Sequence, residues 1–123
     1  MAHYQKLVAW QECHRLALQT YRVTRSFPVD ERYGLVSQAR RAAFSAAASI
    51  VEGNSKRGPA EYRRFLDIAL GSLAELSYVF RLAADLGLLK DPDRSTIEDL
   101  RKRAGYLTWR LYRAIQRRAK RPT

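Results

Sequence analysis

The sequence predicts an all-α protein folded as an antiparallel up-down four-helix bundle, and three observations carry that prediction. Apolar residues recur at three- and four-residue intervals over long stretches, and no stretch shows the β-branched alternation of a strand. Gly and Pro gather at a few breaks that leave four long segments between them. Long helices with short connections pack antiparallel. The 123 residues give room for one domain, residues 1–123, and a helical core of this size is adequate without disulfides or metal.

The first helix is expected over about residues 7–26, with Trp10, Cys13, Ala17, Tyr21 and Thr24 on one face and Arg15 and Arg22 opposite. Phe27-Pro28 ends it, because proline disfavours a helical residue before it. The second is expected over about 30–57, opening at the N-cap candidate Asp30-Glu31 and closing at Lys56-Arg57, whose charges suit a helix C-terminus. Gly58-Pro59 then breaks the chain, and Pro59 is well placed as the first residue of a third helix over 59–86, stopped by Gly87. Its stripe of Tyr62, Leu66, Ala69, Leu73, Leu76, Phe80 and Ala83 needs a core to cover it. The fourth helix is expected over 95–120, opened by the capping box Ser95-Thr96-Ile97-Glu98 and lined by Ile97, Leu100, Ala104, Leu107, Leu111 and Ile115.

Helices two and three carry more apolar surface than one face requires. Beside its stripe, helix three has Phe65, Ile68, Val79, Leu82 and Leu86, and helix two has Val36, Phe44, Ala47 and Val51 beside Leu35, Ala39, Ala42, Ala46 and Ile50. Either these faces form an association surface between copies, or the two longest helices are buried on more than one side. Glu75 falls among the apolar residues of helix three, and a lone buried carboxylate is costly. A Glu75–Arg pair is therefore expected, with Gln38, Arg41 and Glu52 along a polar strip of helix two and Arg40 on another side, fixing helix register or the subunit contact. An exposed Glu75 in a shallow groove is the alternative.

Charge is the main functional signal. Lys and Arg number 23 against 12 acids, a net +11 that suits a polyanionic partner. Residues 101–123 hold nine of those cations and no carboxylate. On a helical wheel Lys102, Arg103, Tyr106, Arg110, Arg113, Arg117, Lys120 and Arg121 fall within about 100 degrees, opposite the apolar stripe. Such a ridge can hold successive phosphates of a nucleic-acid backbone and gain from counterion release, and Tyr106 can stack on an unpaired base. Base-specific readout has no visible signature. A solvated face complementing the helix dipole explains two or three of these cations, not nine.

Enzymatic signatures are thin. His3 and His14 are the two histidines, and Cys13 and His14 are about 100 degrees apart on a helix, so they do not face one another as nucleophile and base. Cys13, the single cysteine, reads as a small core residue. Zinc spacings, the Glu-x-x-His of di-iron bundles, a Walker loop and a dinucleotide glycine pattern are missing from the sequence. No cofactor and no metal are expected. No apolar run approaches the roughly 20 residues of a membrane span, and the start Met1-Ala2-His3-Tyr4-Gln5-Lys6 lacks the apolar core of a secretory signal, so a cytoplasmic protein without a membrane partner is expected.

Between Phe27 and Leu89 the residues resemble a family of bacterial four-helix-bundle proteins, first noticed as open reading frames in intervening sequences of 23S ribosomal RNA genes. Phe27-Pro28, Glu31, Tyr33-Gly34-Leu35, Ser37-Gln38, Arg40-Arg41-Ala42-Ala43, Ser45, Ile50 and Glu52-Gly53 are similar to its helix-two signature. Phe65-Leu66, Ile68-Ala69, Gly71-Ser72, Glu75-Leu76 and Asp85-Leu86-Gly87 are similar to its helix three, and Leu7, Trp10 and Tyr21 fit its first helix. Ala47 and Ser49 stand where the family often has proline and asparagine, and Ser77 replaces an acidic residue. The proline loss should leave helix two straighter. The resemblance implies a cytosolic bundle assembling as a ring-like homopentamer without enzyme activity. A group related in fold, the accessory proteins of diversity-generating retroelements, forms a basic pentamer that contacts nucleic acid and a reverse transcriptase.

The expectation is a non-enzymatic homo-oligomer that binds RNA or DNA through the basic face of helix four and is associated with ribosomal RNA. The alternative is an interaction scaffold whose ridge meets an acidic protein partner, and a third, enzymatic reading would require a formed pocket around Glu52 or Glu75.

Overall fold

The computed structural model describes residues 2–120, with side chains through Ala119. Four helices, α1 (Val8–Thr24), α2 (Leu35–Asn54), α3 (Pro59–Asp85) and α4 (Asp93–Lys120), account for the architecture, and no strand occurs among the described residues. Each helix packs on its sequence neighbour, and α4 returns to α1. Paired positions run in opposite directions. Arg41 meets Glu75, Ser45 meets Ser72 and Gly53 abuts Tyr62 and Phe65 between α2 and α3, while Arg22 meets Asp93 and Glu12 meets Arg103 between α1 and α4.

The core draws on all four helices. Leu16, Ile50, Leu66, Leu76, Phe80 and Ile97 are fully buried, each contributing about 1.5–3 kcal/mol. Most inter-helix ion pairs are half exposed and worth about 1 kcal/mol or less. Apolar burial therefore dominates stability. The predicted stripe of α3 is buried at all seven positions, and on α4 Ile97, Ala104 and Ile115 are buried with Leu100, Leu107 and Leu111 packed against them. α2 meets α3 with small residues. Ala39, Ala42, Ala43, Ala46 and Gly53 are buried there or against α1, so the helices approach closely.

Local chemistry moves several boundaries. His3–Lys6 forms a 3-10 turn ahead of α1, held by the Ala2 amide donating to Gln5 Oε1 at 2.8 Å. The core face of α1 is Ala9, Glu12, Cys13, Leu16, Thr20 and Val23, rotated from the expected face: Trp10 and Ala17 are half-buried and Tyr21 is exposed. Thr20 and Thr24 stay buried because their hydroxyls donate to the carbonyls of Leu16 and Thr20.

Helix two does not open at Asp30. Val29–Glu31 is a single 3-10 turn and α2 begins at Leu35 after Gly34. Val29 and Tyr33 are 72% and 88% exposed, so this segment has no apolar face for packing to hold in a helix. α2 also ends early, at Asn54, where the Ser55 hydroxyl donates to the Glu52 carbonyl and Asn54 Nδ2 donates to the Tyr62 hydroxyl.

α3 begins at Pro59 as expected and ends in a Schellman closure, Leu88 N–H to Ala83 C=O and Gly87 N–H to Ala84 C=O, with Gly87 at φ 77°. The capping box at Ser95 does not form. α4 starts two residues earlier, and the Asp91 carboxylate instead accepts both the Ser95 amide, at 3.0 Å, and the Ser95 hydroxyl, at 2.6 Å. Both bonds hold the Asp91 carboxyl below its ordinary value.

Candidate nucleic-acid interface

α4 divides electrically along its length. Its first turns carry Asp93, Glu98 and Asp99, and the basic residues nearby are partly engaged: Asp93 holds Arg22 at 2.9 Å and Glu98 holds Arg101 at 3.4 Å. Beyond Asp99 the helix has no carboxylate. Burial of Ala104, Thr108 and Ile115 turns the opposite side of the helix to solvent, where Lys102, Arg103, Tyr106, Arg110, Arg113 and Arg117 are all exposed.

These positions are not equivalent. Arg103 Nε lies 3.2 Å from Oε1 of Glu12, a carboxylate whose side chain is only 7% exposed, so its cation is committed to the fold. Lys102, Arg110, Arg113 and Arg117 enter no ion pair among the described residues. The Lys120 side chain and all of Arg121 lie outside the described residues.

Sequence reasoning missed Trp109. Its wheel position lies about 20 degrees outside the cationic sector, at the edge of the ridge. It is 49% exposed beside Tyr106 at 58%, the ring centroids 6.5 Å apart and the planes within 26°. Arg110 lies over the Tyr106 ring and Arg113 over the Trp109 ring, at 5.9 and 5.8 Å, within cation–π range.

Glu12 was missed as well. It sits on the true core face of α1, 5% exposed, with Arg15 Nη1 3.7 Å from Oε2, and that oxygen accepts no hydrogen bond. The spacing Ala9, Glu12, Cys13, Leu16 would have revealed it, but the aromatic weight of Trp10 and Tyr21 drew the inferred face aside. Next to it Cys13 is fully buried, with Sγ 3.5 Å from Thr108 Oγ1, and burial pushes its thiol up to about 11. A thiol so disposed is a core residue, not a nucleophile.

The expected Glu75 pair forms within the chain. Arg41 of α2 bridges Glu75 of α3 and also donates to Gln38 Oε1, and the pair is half exposed, at 56% and 39%. Arg40 belongs to the α1–α2 seam, donating to Thr24 Oγ1 and the Tyr21 carbonyl and lying over the Tyr21 ring. Glu52 enters no ion pair among the described residues: it is exposed at the rim of an apolar groove of about 510 Å³ between α1 and α2, lined by Trp10, Ala17, Leu18, Tyr21, Phe44 and Val51.

The surplus apolar surface thus sits mainly on that seam. Leu18 and Phe44 are 60% and 65% exposed. On α3, Val79 is buried and Phe65 and Leu82 are half-buried within the chain, while Ile68 and Leu86 remain exposed. No helix among the described residues is long and apolar enough to cross a membrane, and no group of three or more His, Cys, Asp or Glu among them is placed to hold a metal ion.

Fold and surface together define a basic, all-helical four-helix protein whose last helix, beyond Asp99, turns a carboxylate-free cationic face to solvent. The chain belongs to the family described as 23S rRNA-intervening sequence proteins, which matches residues 5–112. A search of curated proteins gives no match.

Proposed function

We propose that this chain is a non-enzymatic, homo-oligomeric nucleic-acid-binding protein that grips a phosphate backbone with the outer face of α4. The observation that carries the reading is the contrast between two sets of cations. Arg22, Arg40, Arg41 and Arg103 are used by the fold, whereas Lys102, Arg110, Arg113 and Arg117 line one exposed face with no carboxylate partner among the described residues. Charges that do no structural work and repel one another are explained by an anionic ligand. The family's description, which names 23S rRNA intervening sequences, supports ribosomal RNA as the nucleic acid in this reading.

Self-association is part of the proposal. The groove between α1 and α2, with Leu18 and Phe44 exposed, is a contiguous apolar patch of the kind that a second copy covers, and the family resemblance supports a ring-like pentamer as the assembly. Several copies of α4 on one ring raise avidity without improving any single contact.

Two measurements test this reading. Protein purified without nuclease should carry nucleic acid that the Arg110→Glu, Arg113→Glu, Arg117→Glu variant lacks; equal loading of both removes α4 as the interface. Light scattering should give a multiple of the 14.2 kDa chain mass, and Phe44→Glu should reduce it towards a monomer. A wild-type monomer at micromolar concentration ends the oligomer reading.

A further inference from the structure

We infer that the Tyr106–Trp109 pair is a stacking platform for unpaired bases, so that α4 selects single-stranded over duplex nucleic acid. This deepens the proposed function and rests on it. A phosphate-binding ridge alone does not discriminate, because both duplexes and single strands present phosphates. Exposed rings do discriminate: a base in a duplex has its faces covered by its neighbours, whereas an unpaired base can lay its face on an aromatic side chain.

Three features of the pair fit that use. Both rings are about half exposed on a helix whose other large apolar side chains, Ile97, Leu100, Leu107, Leu111 and Ile115, are packed into or against the core. Their planes are within 26° of one another, so two successive bases can adopt similar orientations on them. Each ring has its own guanidinium, Arg110 for Tyr106 and Arg113 for Trp109, standing 5.9 and 5.8 Å off the centroid. That is beyond the 3.5–4 Å of close carbon contact, so the ring is not sealed by its cation. Each ring is followed four residues on by its arginine, Tyr106 by Arg110 and Trp109 by Arg113, so bases and phosphates of one strand can be met together.

The test uses the full chain with Trp10→Phe, which leaves Trp109 as the remaining tryptophan of the two. Binding is followed by anisotropy of end-labelled probes, oligo-uridine, oligo-thymidine and a duplex of equal length, and stacking by quenching of Trp109 fluorescence. Single strands should quench Trp109, and the duplex should not. Trp109→Ala and Tyr106→Ala should each weaken single-strand binding by roughly five- to a hundredfold. Duplex binding should change less than twofold, and Trp109→Phe should keep most of the affinity. Unchanged thermal melting of the variants checks that the fold persists, as expected for exposed positions.

Binding to strand and duplex alike, without quenching, overturns the platform while leaving the backbone reading standing. Absence of binding to every probe at low salt removes both. A change in the mass of the assembly on Trp109→Ala, with single-strand affinity kept, assigns the rings to a subunit contact and also overturns the inference.

Discussion

Gly53 and Gly105 are both helical glycines, and a methyl group added to each meets opposite surroundings. At Gly53 a Cβ would lie 2.9 Å from the Phe65 Cβ, 3.0 Å from the Tyr62 ring and 3.2 Å from the Tyr62 carbonyl, where α2 and α3 touch. At Gly105 nothing lies within 4 Å. Gly53→Ala should therefore destabilise by about 1–3 kcal/mol through overpacking, and Gly105→Ala should stabilise by about 0.5–1 kcal/mol through helix propensity, both read from urea melts. Cys13 makes a second residue-scale prediction. Its folded thiol titrates near 11 against 9.0 when exposed, so the unfolded chain ionises first and stability should fall as pH rises from about 9 to 11. A thiol reagent at pH 8 should label it only after denaturation. The sequence already placed Cys13 in the core, since a lone cysteine among helical apolar residues has few other uses. The spacing of Ala9, Cys13 and Leu16 marks Glu12 as a core-face position, but its partner was not legible, because Arg103 lies ninety-one positions away.

At the scale of elements, apolar spacing located all four helices, and the termini depended on which polar atom reached which backbone group. The stripes of α3 and α4 were legible because their spacing continues over many turns. The start of α2 was not, since Asp30-Glu31 resembles a cap yet lacks an apolar face behind it. The start of α4 turned on Asp91, a residue the sequence left in a loop, which outcompetes the Ser95–Glu98 box by accepting two bonds from Ser95. Its carboxyl is held below 3.8, so the stabilisation is complete above that value and is lost as pH falls through the lowered one. Asp91→Asn should flatten that part of the acid dependence and fray the first turn of α4, seen as faster amide exchange at Ser95. The Arg41–Glu75 pair is a weaker element-scale device: half exposed, it should show a coupling of about 1 kcal/mol or less in a double-mutant cycle.

Across the whole molecule, the surfaces that hold the fold and the surface proposed to bind a ligand are separate. Apolar burial and a few committed arginines hold the bundle, the α1–α2 groove leaves apolar surface exposed, and the late turns of α4 carry charge that the fold does not use. The ridge was legible in the sequence as charge without acid, but its division was not: Arg103 leaves it through contact with a distant helix, and Trp109 joins it from just outside the sector. The salt dependence of single-stranded RNA binding decides whether the outer face of α4 grips a phosphate backbone. Four uncommitted cations per contact predict that log K falls against log salt with a slope of roughly −3, and reversal of Arg110, Arg113 and Arg117 to Glu should remove most of both slope and affinity. An affinity that does not change with salt, or that survives the triple reversal, would contradict the account.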